Sequence, residues 1–158
     1  MLFRSDILGM DFDRRVDEAG VRRSAGQLAD LIERERERGI PSERIVLAGF
    51  SQGGAIALHQ GLRHPEPLAG VMALSTYIAA DCDLEAERSD ANRAVPVFQA
   101  HGSMDPMVIP AMGAAARERL EELGYSVEWH EYPMQHQVCQ EEIEAMGAWL
   151  RGVLGLVA

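Results

Sequence analysis

The chain has no apolar run approaching the roughly 20 residues of a membrane span, and Met1-Leu2-Phe3-Arg4-Ser5 lacks the apolar stretch of a secretory signal. No membrane span is expected, and a cytoplasmic location is the default. A basic surplus is also missing: 15 Lys and Arg stand against 25 Asp and Glu, for a net charge of −10, and the cations are interleaved with acids. That leaves no basic face for phosphates, so nucleic acid is excluded as an expected partner. Cysteine is scarce. Cys82 and Cys139 lie far apart and fit free thiols in a reducing compartment better than a disulfide framework. Cys139 follows His136 by three positions, but no second ligand pair accompanies them, so no metal is expected. No repeat or linker divides the 158 residues, and one domain is expected over 1–158.

What the sequence does contain is concentrated between Arg44 and Leu58. The run Ile45-Val46-Leu47-Ala48 has the length and branching of a strand buried on both faces, and it breaks into a helix at Gly49-Phe50-Ser51-Gln52-Gly53-Gly54. Strand, sharp turn and helix around Gly-x-Ser-x-Gly form a nucleophile elbow, in which strained backbone lifts the serine hydroxyl clear of the sheet. Glycines at 49 and 53 are expected because a Cβ there would clash.

The rest of the chain supplies strands and helices in alternation. Met1 to Gly20 reads as an irregular lead-in, and Val21, Ala25, Leu28 and Ile32 then recur at helical spacing until Gly39 and Pro41 stop the helix. Glu33 to Arg38 is its solvated, charged end. After the elbow, a helix over Gln52 to Leu62 leads to a strand over Leu68 to Ser75. Thr76 to Ala94 has no clear period and reads as a pocket rim. Val95 to Ala100 is a third strand, followed by a loop from His101 to Pro106. A helix over Pro110 to Leu123 is expected to turn Ala111, Ala114, Ala115 and Leu120 inward. Val127 to Tyr132 has the mixed polarity of an edge strand, and a final helix from Gln140 to Val153 places Ile143, Met146, Trp149 and Leu150 on one face. The alternation predicts an α/β fold with a mostly parallel sheet of about four strands flanked by helices.

A serine hydroxyl needs a histidine to take its proton and an acid to fix that histidine's tautomer. Functional groups in an open parallel sheet gather beyond the strands' carboxyl ends, which disfavours His59, His64 and His130 and leaves His101 and His136. The chain order Ser, acid, His that accompanies this elbow selects Ser51, Asp105 and His136. A rival order, Ser51, Asp83 and His101, leaves Asp105 and His136 without a role. His101 reads better as a structural donor. Met104, Met107, Met112 and Met134 flank the catalytic loops, and lining an acyl pocket or filling the core are equally open to them.

Four pieces in order, Arg44 to Gly54, Ala73-Leu74-Ser75-Thr76-Tyr77, His101-Gly102-Ser103-Met104-Asp105 and Glu131-Tyr132-Pro133-Met134-Gln135-His136, resemble the phospholipase/carboxylesterase family of α/β hydrolases. Bacterial carboxylesterases and acyl-protein thioesterases belong to that family. The resemblance runs from about Asp6 to the C-terminus. It implies the C-terminal part of an α/β-hydrolase fold, with Ser51 as nucleophile, Asp105 as acid and His136 as base. The backbone N–H of Gln52 would be half of the oxyanion hole, and no cofactor is implied. The implied activity is hydrolysis of carboxylic esters through an acyl-enzyme, with short-chain esters, lysophospholipids and acyl thioesters as substrate classes.

Gln135 departs from the glycine usual in the family before the histidine, which is expected to shift the loop without removing the base. A larger departure is that nothing matches the family's first strands or its upstream His-Gly oxyanion loop, so a truncated reading lacking the N-terminal third is expected. One coding sequence for Leu2 to Ser5, CTC-TTC-CGA-TCT, matches the end of a common sequencing adapter. In that case the nucleophile strand becomes an exposed edge, and the alternative function is a catalytically impaired fragment that acts only as a binding or self-associating module.

Overall fold

A computed structural model describes residues 6–156, with side chains described for 18–80 and 83–156. Four strands, β1 (Val46–Phe50), β2 (Gly70–Leu74), β3 (Val97–Gly102) and β4 (Val127–Tyr132), form one sheet in the order β1-β2-β3-β4 with every pairing parallel. Helices α1 (Asp6–Glu37), α2 (Gln52–Arg63), α3 (Asp81–Glu87), α4 (Pro110–Glu122) and α5 (Gln140–Val153) precede, connect and follow the strands. The expected α/β architecture of four strands flanked by helices is therefore the observed one.

The period-2 alternation of the strands divides the core. On one face Leu47, Val71, Ala73 and Val97 pack with Ile32 of α1, Leu58 and Leu62 of α2, and Leu120 of α4. On the other, Met72, Leu74, Phe98 and Ala100 pack with Trp149 of α5. Phe98 is fully buried, and its burial stabilises the fold by about 2–3 kcal/mol.

Several expectations need correction. The irregular lead-in is helix from Asp6 onward, and Met1 to Ser5 of it lie outside the described residues. Gly9 and Gly20 each cost a helix about 1 kcal/mol, yet α1 runs through both, so local propensity is overruled there. Val21, Ala25 and Ile32 are buried as their spacing required. Thr76 to Ala94 holds α3 and a 3-10 turn over Asp90–Asn92, elements too short to show a period, with Leu84 the buried anchor. On α4 the inward positions are Gly113, Ala116 and Leu120, whereas Ala111 and Ala115 are exposed. Ile143 on α5 is 52% exposed, and its neighbour Glu142 is buried instead. Burial pushes the Glu142 carboxyl above the usual carboxylate range.

Strand β1 is not buried on both faces. Among the described residues β1 pairs with β2 alone, so it is an outer strand, and of its residues Leu47 is buried while Ala48 and Phe50 are exposed. Its exposure as an edge is as expected. β4 forms the other edge, also as expected.

Candidate active site

All four strands run in one direction, so their carboxyl ends share one rim of the sheet. Ser51, Asp105 and His136 all stand on that rim, in the segments following β1, β3 and β4. Ser51 joins β1 to α2 with φ 55° and ψ −124°, a conformation rarely adopted by residues with a side chain. The turn is tight enough that a Cβ on Gly49 would lie 2.1 Å from the Gly53 carbonyl oxygen. Gly53 itself has open space, contrary to expectation, and the second glycine that closeness requires is Gly54, where a Cβ would meet Thr76 at 2.8 Å. Gln52 is the first residue of α2, so its N–H belongs to the positive end of that helix.

Asp105 is 3% exposed and accepts three hydrogen bonds. Its Oδ1 receives the backbone N–H groups of Met107 and Val108 at 2.8 and 2.9 Å, and its Oδ2 lies 2.7 Å from His136 Nδ1. Burial pushes the carboxyl up, but the bonds from His136, Val108 and Met107 outweigh it and hold the group below the usual carboxylate range. An ionised carboxylate can only accept, so the proton of this bond sits on Nδ1, and in the neutral imidazole the lone pair is then on Nε2. His136 is half-buried, and its ring centroid lies 4.7 Å from that of Phe50, the residue before Ser51. The structure thus joins Asp105 and His136 directly and packs the neighbour of Ser51 on the His136 ring.

The two loops are zipped together by backbone bonds, Ser103 N–H to Tyr132 O at 2.8 Å and Met104 N–H to Met134 O at 3.1 Å. Gly102 makes this approach possible, because a Cβ there would lie 2.2 Å from Gln135 O and 2.4 Å from Met134 O. Gln135 does not disrupt the contact between Asp105 and His136. Met104 and Met107 are exposed on the loop of Asp105, at 57% and 74%, whereas Met134 is buried.

The rival set is not assembled. Asp83 pairs with Arg22 on α1 at 2.9 Å, while His101 lies within β3 rather than in a loop and donates from Nε2 to Val108 O at 2.8 Å. His101 is buried with its ring against Gly113, and its Nε2 is 3.7 Å from Asp105 Oδ2. It supports the turn that carries Asp105. His130 stacks on Phe98 and pairs with Glu128, and His59 is buried in α2, where burial lowers its pKa to about 4. Cys139 is a free thiol, and the Cys82 side chain is outside those described.

Sequence reasoning gave no role to Phe50, Gly102 or Thr76. Each adjoins a strand's carboxyl end, and that placement was the available signal.

Comparison with known proteins adds an independent line. The family described as Phospholipase/Carboxylesterase matches residues 5–154. Acyl-protein thioesterase 1 of Neurospora crassa is 41% identical over 148 residues, covering 92% of this chain and 60% of the relative. Acyl-protein thioesterase 1 of Mycosarcoma maydis is 41% identical over 163 residues, covering 94% of this chain and 68% of the relative. The crystal structure of Arabidopsis thaliana SOBER1 superposes with a TM-score of 0.83 at 28% identity, covering 87% of this chain and 66% of that one. The chain therefore spans about three-fifths of the length of the first of these curated relatives.

Proposed function

The chain belongs to the phospholipase/carboxylesterase family of α/β hydrolases, and on that premise we propose that it is a serine hydrolase acting through an acyl-enzyme. Ser51 attacks the acyl carbonyl. His136 Nε2 takes the serine proton and returns it to the leaving group, Asp105 holds the imidazole, and Gln52 N–H stabilises the oxyanion. Water then releases the acid by the same steps in reverse roles. The observation that carries this reading is the 2.7 Å bond from His136 Nδ1 to Asp105 Oδ2, because it fixes the one tautomer able to act as base.

The substrate class is a carboxylic ester or acyl thioester, and Met104 and Met107, exposed beside the acid, supply soft apolar flanks for an acyl chain. Short-chain esters, lysophospholipids and acyl thioesters differ in what a chromogenic panel would report. A fluorophosphonate probe tests the chemistry itself, since it requires an activated serine. Wild-type protein should label at Ser51 and Ser51→Ala should not; an unlabelled wild type, or a labelled variant, would overturn the assignment.

A second reading, self-association, is favoured by a different observation. Ile45 O accepts from Ala69 N–H, just before β2, and Ser51 N–H donates to Leu74 O at its end, so strand alternation aims the backbone groups of Val46, Ala48 and Phe50 away from β2. A second copy of the chain could pair along that edge.

A further inference from the structure

Ser51 adopts a strained, positive-φ conformation, and such a residue persists only where its surroundings over-determine it. Its carbonyl accepts from Gly54 N–H at 2.9 Å and Ala55 N–H at 3.2 Å, bonds that belong to the start of α2. A third donor comes from across the rim: Thr76 Oγ1 lies 2.6 Å from Ser51 O. The Ser51 N–H, in turn, donates to Leu74 O at 2.8 Å. Both backbone polar groups of Ser51 are thus gripped from the end of β2, the N–H by Leu74 and the carbonyl by Thr76.

The grip has a built seat. Thr76 is 1% exposed, and its Cβ and Cγ2 occupy the space where a Cβ on Gly54 would intrude at 2.8 Å. Ser75 N–H donates to Ala100 O at 2.8 Å, which ties the segment before Thr76 to the end of β3. A bond to each side of the Cα of Ser51 constrains φ and ψ together, and the hydroxyl's presentation follows from those two angles.

We propose that Thr76 is a positioning residue for the nucleophile, its hydroxyl anchoring the Ser51 carbonyl to the end of β2 so that the elbow stays in its reactive geometry. The inference rests on the reading of Ser51 as nucleophile. Thr76→Val preserves shape and removes the hydroxyl, while Thr76→Ser keeps the hydroxyl and removes a methyl group. Small displacements of a reacting group are costly, so Thr76→Val should slow fluorophosphonate labelling and kcat by about tenfold or more with KM little changed. Thr76→Ser should recover most of that loss. A valine variant as fast as wild type, or a serine variant as slow as valine, would overturn the proposal.

Hydrogen exchange gives a readout independent of catalysis. The Gly54 and Ala55 amides, which share the anchored carbonyl, should exchange faster in Thr76→Val than in wild type or Thr76→Ser. If wild type does not label, the nucleophile reading fails and exchange alone judges the anchor. Unchanged exchange in Thr76→Val would then reject it.

Discussion

The outer strands β1 and β4 each lead into one residue of the proposed site, and they hold it by different means. Beyond β1, Ser51 is held mostly by shape, with a strained turn, a Gly49 position with no room for a Cβ and a helix packed close behind, and its backbone is anchored by Leu74 and Thr76. Beyond β4, His136 is held by directional bonds, with Asp105 receiving its Nδ1–H and being fixed in turn by two backbone N–H groups. Added atoms should therefore cost most at the Gly49 turn on the β1 side, and on the β4 side loss of the Asp105–His136 bond should cost most. Their outer rims differ as well. β1 presents Ala48 and Phe50 to solvent without a charge, whereas β4 carries exposed Glu128 and Glu131 and a His130–Glu128 pair at 2.9 Å.

The largest effect expected on the bonded side comes from Asp105→Asn. An amide in this position favours the imidazole tautomer with its proton on Nε2, which cannot serve as the base, and labelling and turnover should fall by roughly 10²- to 10⁴-fold. Asp83→Asn removes only a surface partner of Arg22 and should leave both rates within about twofold. Equal losses from the two variants would contradict the assigned acid. The same substitution has a pH signature. Because the Asp105 carboxyl is held below its usual range in the folded state, its stabilising contribution is present above the unfolded carboxyl value and is lost as pH falls through the folded one. Acid unfolding of Asp105→Asn should show a shallower loss over that window.

Gly102→Ala sets an added atom against the side that depends on bonds. The new Cβ would meet backbone oxygens of Met134 and Gln135, neither of which can swing away as a flexible side chain could, so the loop bearing His136 must move. A stability loss of about 1–3 kcal/mol and a fall of roughly tenfold in kcat are expected. Gly53→Ala is the matched control within α2. It adds a Cβ where nothing lies within 4 Å and should raise stability by about 0.5–1 kcal/mol in thermal unfolding. If Gly102→Ala keeps wild-type kcat, the loops are more yielding than the contact of their backbones implies.

The two sides also differed in how far the sequence disclosed them. The strand, turn and helix around Ser51 were legible because the glycines, serine and flanking apolar run are contiguous, and the spacing of Asp105 and His136 after strands pointed to loops on one rim. Thr76 was hidden within a segment without period, since its partner Ser51 lies 25 positions away and the bond is made only once β1 and β2 are neighbours. The role of Gly53 was misjudged for a related reason: a motif marks where glycine occurs but not which glycine faces a neighbour. On α4 and α5 the apolar spacing was read correctly as helix, yet Ala111, Ala115 and Ile143 are exposed because small or end-of-helix positions carry little phase information. The single buried face of β1 followed from its place at the edge, which composition does not report.

The smallest effect concerns that edge. Exposed edge strands recruit other strands unless charge, proline, a bulge or a cover prevents it, and Val46 to Phe50 carry neither charge nor proline. Ala48 is the position to alter, since it is exposed and its backbone groups face away from β2, so a lysine there meets solvent rather than core. Ala48→Lys should weaken self-association by about tenfold, the equivalent of roughly 1.4 kcal/mol, with little change in thermal stability. At β4, Glu128→Val removes one of several charges and should strengthen association less, because Glu131 still guards the strand. Sedimentation equilibrium across micromolar concentrations reads both changes. A wild type that stays monomeric, or an Ala48→Lys protein that associates as strongly as wild type, would remove β1 as the surface. A larger response to Glu128→Val than to Ala48→Lys would place the reactive edge at β4 and reverse the comparison.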